Sequence, residues 1–265
     1  MNLIATDDSE QQQKKKNTHS IAFQVIICLL TASGLFALSY PAVKQSREIS
    51  KSREAHRGNL ISLGHIICGY SQPPHTLPMG GNTDAQGTPL HGWMTKLLPY
   101  INEAAMTREI DDSQPWNAPD NKKVFTIIVP LFLNYHMKKG PQQNSEGYGL
   151  THFSTNSHLF PFNDTVSIET IEKADGLSNT ILIGEINSSF PAWGSATNVR
   201  DPARGLDGCP DCFGSPNKEG AYLMFANGSV RFINQNIDPE ILKALSTPTG
   251  GEPIPELDHN NSVPE

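Results

Sequence analysis

The sequence predicts an α+β protein: a long N-terminal helix, membrane-anchored in its first half and packed through its second half on an antiparallel β-sheet domain. Three observations predict it. Residues 21–43 contain no charged side chain. Leu60, Leu63, Ile67 and Tyr70 recur on one helical face. Tyr222–Ile233 carries two β-prone halves around Asn227-Gly228.

Composition bounds the rest. A chain of 265 residues can bury a sizeable core. Charged residues are 18% of it, below the usual figure of about 25%, and 21 Gly with 20 Pro give a loop-rich globular character. The net charge of −7 falls entirely after residue 43, and it repels a phosphate backbone, so nucleic acid is not an expected partner. Four Cys are too few for a disulfide scaffold.

Residues 1–20, with the run Gln11–Lys16, read as a polar cytoplasmic tail without a core. Residues 21–43 read as a transmembrane helix, because at about 1.5 Å per residue they cross a hydrocarbon layer of about 30 Å. A buried core helix and a cleaved signal peptide ending near Ala37-Leu38-Ser39 are the competing readings. The polar leader and the length of the apolar run favour a retained anchor. Lys44, Arg47, Lys51, Arg53 and Arg57 outnumber Lys14–Lys16, but long domains translocate largely regardless of such charge. The expectation is a single-pass inner-membrane protein with its C-terminal domain outside the cytoplasm.

Residues 44–72 continue as an amphipathic extension past a kink at Pro41, and Pro73-Pro74 end it. Residues 73–251 form the soluble domain. It begins with a Gly80-Gly81-Asn82 loop and a helix around Trp93–Thr107 interrupted at Pro99. Val124–Leu133 is β-branched and aromatic, which predicts a strand with Pro130 at an edge or bulge. Residues 139–165 read as loop. Thr180–Glu185 reads as a short buried strand after an Asp175-Gly176 turn. Asn227-Gly228 suits a type I′ hairpin pairing Phe225 with Val230 and Leu223 with Phe232, all four on one buried face. Asp238 caps a helix with Pro239 at its first position, running to about Leu245. Residues 252–265 read as a disordered polar tail.

Candidate chemistry is sparse. Cys209-Pro-Asp-Cys212 has redox or zinc spacing, but one pair supplies two of four zinc ligands; a local disulfide is favoured over metal, catalysis or free thiols. Cys28 falls in the span, and Cys68 reads as a small apolar residue on the helix face. His65, His152 and His158 form no recognisable metal set. Asp175 and Glu185 read as a turn cap and a strand end rather than a hydrolytic pair. Trp93, Trp116 and Trp193 read as core rather than a carbohydrate-stacking surface. No nucleophile elbow, phosphate loop or His-Glu-x-x-His occurs, so no catalytic, cofactor-binding or metal-ligating residue is assigned.

Several short segments, in order, resemble one family. They are Pro41-Ala42-Val43, Asn59-Leu60 with Gly64 and Tyr70, Leu97-Leu98-Pro99-Tyr100 and Pro115-Trp116-Asn117. Downstream follow Asp175-Gly176-Leu177-Ser178-Asn179-Thr180, Glu185 and Phe225–Phe232. Together they resemble the planctomycete prepilin-like proteins labelled domain of unknown function 1559, over about residues 20–252. The resemblance implies a pilin-like fold, and it makes Asp175, Gly176, Ser178, Asn179, Thr180, Glu185 and Gly228 structural motif positions. The family's C-terminal His-x9-Asp-Gly signature falls on Asn217, Asn227 and Gly228. Its prepilin peptidase site falls on His19-Ser20 and Gln24, and the Cys found in many members is replaced by His56 and Asn134. The copy is therefore divergent, and processing by a prepilin peptidase is not expected.

The functional expectation is a non-enzymatic, membrane-anchored, pilin-like structural or interaction protein. Its expected partners are membrane lipid through residues 21–43, and other pilin-like subunits or envelope glycans. The alternative is an anchored glycan- or envelope-polymer-binding module using the loops of residues 75–92 and 139–165. No cofactor is expected.

Overall fold

The computed structural model describes Lys44 and residues 58–70, 75–101, 103–134 and 140–251. All but Lys44 belong to one unit, Arg53–Glu265. Among the described residues, no helix is long and apolar enough to cross a membrane. The expected tail, span and C-terminal tail at 1–20, 21–43 and 252–265, with Cys28, His56 and most of 44–57, lie outside the described residues.

Helix α1 covers residues 58–70. Leu60, Leu63 and Ile67 are fully buried, and Gly64 completes the i, i+3, i+4, i+7 stripe. Gly64 permits a close approach: a Cβ there would collide with the Met224 thioether. Asn59 fixes the start of the stripe by donating to Pro130 O at 3.2 Å and Leu133 O at 2.9 Å. Cys68 is exposed, one step off the stripe beside Ile67, so it does not pack as an apolar contact.

A two-stranded hairpin follows, β1 (Gly81–Thr83) with β2 (Pro89–Gly92). Helix α2 (Trp93–Leu97), a 3-10 turn at Leu98–Tyr100 and α3 (Ala104–Thr107) realise the helix that Pro99 was expected to interrupt. The Val124–Leu133 strand is a correction. That segment holds the end of α4 (Lys122–Phe125) and a 3-10 turn at Pro130–Phe132. Its carbonyls have other partners: Phe125 O accepts from Gly149 N, Ile127 O from the Trp193 indole and Phe132 O from His152 N. Those bonds leave no ladder to join.

The main sheet has the order β5-β3-β4-β6-β7. Its strands are β3 (Phe153–Asn156), β4 (Ile181–Glu185), β5 (Val199–Arg200), β6 (Gly220–Phe225) and β7 (Val230–Asn234). It is antiparallel except for the β3–β5 pair, so it is mixed where an all-antiparallel sheet was expected. β3 lies inside residues 139–165, expected as loop, and corrects that expectation. Its Ser154, Thr155 and Asn156 are fully buried because their backbone needs are met by neighbouring strands and, for Asn156, by side-chain donation to Ile181 O and Ser246 O.

The hairpin forms with a shifted register. Tyr222 opposes Phe232, Leu223 opposes Arg231 and Met224 opposes Val230. Gly228 has φ +84° while Asn227 is not among the residues with positive φ. Gly228 N–H returns to Phe225 O, and Phe225 N–H bonds Ser229 O. This is a three-residue loop, a type I turn closed by a left-handed glycine, in place of type I′. The extra loop residue moves β7 by one, so its side chains change face. Leu223 and Phe225 join a cluster with Ile233, Leu242 and Leu245, whereas Val230 and Met224 join the α1 side. Both faces of the sheet are therefore covered, one by α1 and one by α6 (Pro239–Ser246), which Asp238 caps through Glu240 N as expected. Helix α5 (Ile168–Lys173) precedes β4 and is capped by Ser167.

Candidate functional site

The edge strand β5 ends in Arg200, which is 6% exposed. Its guanidinium donates to Ser188 O at 2.8 Å and Ser189 O at 3.1 Å from one loop, and to Pro210 O at 3.1 Å and Cys212 O from another. Burial pulls the Arg200 pKa down to about 10, with Asp211 acting against the shift. The side chain thus stays charged at neutral pH, and four carbonyls solvate it in place of water. Cys209 and Cys212 are disulfide-bonded, closing the second loop on itself.

These two loops wall a cleft of about 370 Å³. Ser154 of β3 with Asn198 and Val199 lines it from the sheet, and Ser189, Pro191 and Asp211 line it from the loops. Asp201 and Arg204 stand on the 3-10 turn beyond β5. His158 Nε2 lies 3.0 Å from Asp201 Oδ1, and Arg204 lies 4.0 Å from Asp211 Oδ2. Ser154 Oγ and Asn198 Oδ1 are buried polar atoms with no hydrogen-bond partner among the described residues. Asn198 is otherwise fixed, since its Nδ2 donates to Phe153 O and its carbonyl accepts from the Trp93 indole.

A buried acid and a half-buried one interact nearby. Glu185, at the end of β4, is fully buried and accepts from Tyr222 N at 2.7 Å and from Asn134 Nδ2 at 3.0 Å. Asp207 accepts from Gly220 N and Ser215 N and from the Asn187 amide. Burial pushes its pKa up to about 6; the two backbone N–H bonds oppose this and the Glu185 charge adds to it. His152 accepts the Asn134 N–H at Nδ1, so its proton sits on Nε2, which faces Pro141 O at 2.9 Å. Sequence reasoning missed Arg200 and Asp207. Neither belongs to a spaced motif, and an Arg in a Gly/Pro-rich region carries no sign that four carbonyls will surround it.

The residues singled out by sequence do not converge on one site. The Asp175 carboxylate accepts from Gly250 N at 3.1 Å and Gly251 N at 2.7 Å, tying the end of the described chain rather than capping its own turn. Gly176 N–H returns to Ile171 O after α5, Asn179 Nδ2 donates to Asp175 O and Thr180 Oγ1 donates to Gly176 O. Leu177 O and Thr180 O then accept from Asn227 N and Ala226 N. The Asp175–Thr180 turn, with Ser178 in it, is thereby docked on the hairpin loop that holds Gly228. Asn227 Oδ1 accepts from Ser229, and Asn217 is exposed. Trp93 and Trp193 are fully buried core residues, and Trp116 packs edge-on against Phe125 and Tyr148. Among the described residues, no group of three or more His, Cys, Asp or Glu is arranged to hold a metal.

A family model described as a protein of unknown function (DUF1559) matches residues 53–212. No curated protein and no solved structure matches the chain.

Proposed function

Since the chain belongs to the DUF1559 family, we propose that it is a non-enzymatic, membrane-anchored interaction protein of pilin-like architecture. In this reading residues 21–43 cross the inner membrane once, and the unit from residue 53 onward is held outside the cytoplasm. The observation that carries it is the α1 stripe. Leu60, Leu63 and Ile67 are buried in the core, and residues 44–59 link them to an uncharged stretch of membrane-spanning length at 21–43. The Cys209–Cys212 disulfide fits an oxidising compartment. The carboxylates of Asp175 and Glu185 hold backbone amides, which is a structural use of the two acids most readily cast as a hydrolytic pair.

The test is fractionation of cells expressing the full chain. It is expected to resist extraction from membranes at high pH, to be digested by protease added to spheroplasts, and to have the intact mass of the unprocessed chain. Recovery in the cytosol overturns the anchor. A mature chain starting at Ser20 or Ile21 shows prepilin peptidase processing, and one starting near Tyr40 shows ordinary signal cleavage.

A further inference from the structure

We infer that the cleft beside Arg200 binds a neutral polyhydroxylated ligand, a saccharide-type array of hydroxyls. This extends the display reading by naming what the displayed domain meets, and it rests on that reading only for the ligand's source. Three features select the chemistry. The first is charge. The cleft holds two Arg and two Asp, Arg200 is already bound to four carbonyls, and Asp201 faces His158. A phosphate or polyanion finds no surplus positive charge there.

The second is the lining. Ser157, Ser189 and Thr197 supply hydroxyls, Ser154 and Asn198 are its buried polar members, and Val199 and Pro191 are the apolar members. Hydroxyls both donate and accept, so they match a ligand whose own groups do the same. An acyl chain or an aromatic ring would leave these groups unpaired. The third is the pair of partnerless buried atoms, Ser154 Oγ and Asn198 Oδ1. Native proteins rarely leave such atoms unsatisfied, and both residues line the cleft. Its volume of about 370 Å³ lies at the lower end of the usual range for small-molecule sites, about 300–1,000 Å³.

The site is preorganised. Arg200 ties both walls to the sheet, and the disulfide shortens the freedom of one of them, so little ordering is left for binding. Arg204 and Asp211 are about half and two-thirds exposed at the rim, where they can donate to and accept from a vicinal diol.

The experiment uses the full chain in a detergent without a sugar headgroup. Maltotriose, cellotriose and chitotriose are titrated by calorimetry and by saturation-transfer NMR, with inorganic phosphate as the anionic probe. Saturable binding of at least one trisaccharide is expected, unchanged by 0.5 M NaCl and weakened about tenfold or more in both Asp211→Asn and Arg204→Gln. Absence of saturable binding to all three saccharides overturns the inference, as does phosphate binding that competes. Saccharide binding that survives both rim variants overturns it too, since the ligand then sits elsewhere. None of these outcomes touches the anchor, which fractionation tests separately.

Discussion

Replacing Arg200 by Met removes the charge while keeping a long apolar stem, and it strands four carbonyls: Ser188 O, Ser189 O, Pro210 O and Cys212 O. Hydrogen bonds to a charged group are worth about 1.5–3 kcal/mol each, so a simple sum overshoots, because the variant is also spared the desolvation of the guanidinium. Leaving a buried acceptor unsatisfied costs about 1–3 kcal/mol. The cleft lets water reach some of the orphaned carbonyls, which places the total for this variant well below the sum over all four, at about 3 kcal/mol. For a domain of this size each kcal/mol moves the thermal midpoint by about 2–4 °C, giving a drop of about 6–12 °C. The assay is thermal unfolding of the full chain followed by circular dichroism under non-reducing conditions. Arg231→Met is the control. Its guanidinium lies over the Phe225 ring at 4.3 Å on a partly exposed edge strand, where a cation–π contact is worth about 0.5–1 kcal/mol. A drop below about 3 °C for Arg200→Met, or one no larger than the control, would refute the wall-tying role.

Two further outcomes are expected. Gly228→Val meets no atom within 4 Å of its Cβ, so its cost is the left-handed backbone alone, about 1–2 kcal/mol; Gly228→Asn should recover most of it, and an unchanged midpoint for Val would contradict the observed turn. Asp207 holds its proton up to about pH 6 in the folded state, whereas the unfolded chain releases it near pH 4. Between those values the folded state binds more protons, so this group's stabilisation is fully present below about pH 4 and is lost as pH rises to about 6. The full linkage of about 3 kcal/mol is cut by solvent screening at this half-buried site to about 1 kcal/mol. Urea midpoints at pH 4.5 and 6.5, compared between the wild type and Asp207→Asn, measure it; a wild-type gain in stability on going to pH 6.5 that the variant lacks would reverse the sign.

What was legible in the sequence is what periodicity and caps encode. The α1 stripe, the buried β4 and the Asp238-capped α6 each depend on neighbours within a few residues, and each appears at its expected place. β3 was illegible because Phe153-Ser-Thr-Asn has no apolar alternation; its burial depends on side-chain bonds to Ile181 and Ser246, both far along the chain. Val124–Leu133 misled for the opposite reason: Val124, Phe125, Val129 and Phe132 are buried without a partner strand, while the β-branched Ile127 and Ile128 between them face solvent. The hairpin shows the limit most sharply. Asn-Gly identifies the turn but not whether the loop holds two residues or three, and that one residue decides which side of the sheet receives Val230. For the cleft, its walls come from residues 188–191 and 207–212, which share no motif; only Cys209 and Cys212 stood out beforehand.

The sheet that carries all this is covered on both faces, by α1 on one and α6 on the other. Substitution within it is consequently tightly constrained, since any change in side-chain volume on β4 or β6 is felt by a packed neighbour. Evolutionary freedom is left to the rims: the Asp84–Thr88 turn, the Asn144–Gly147 turn and the exposed stretch from Pro216 to Glu219. Lengthening a surface loop adds little entropic cost, so related chains can acquire new recognition loops at these points on an unaltered scaffold. Peptide tags for purification or labelling belong at the same three places.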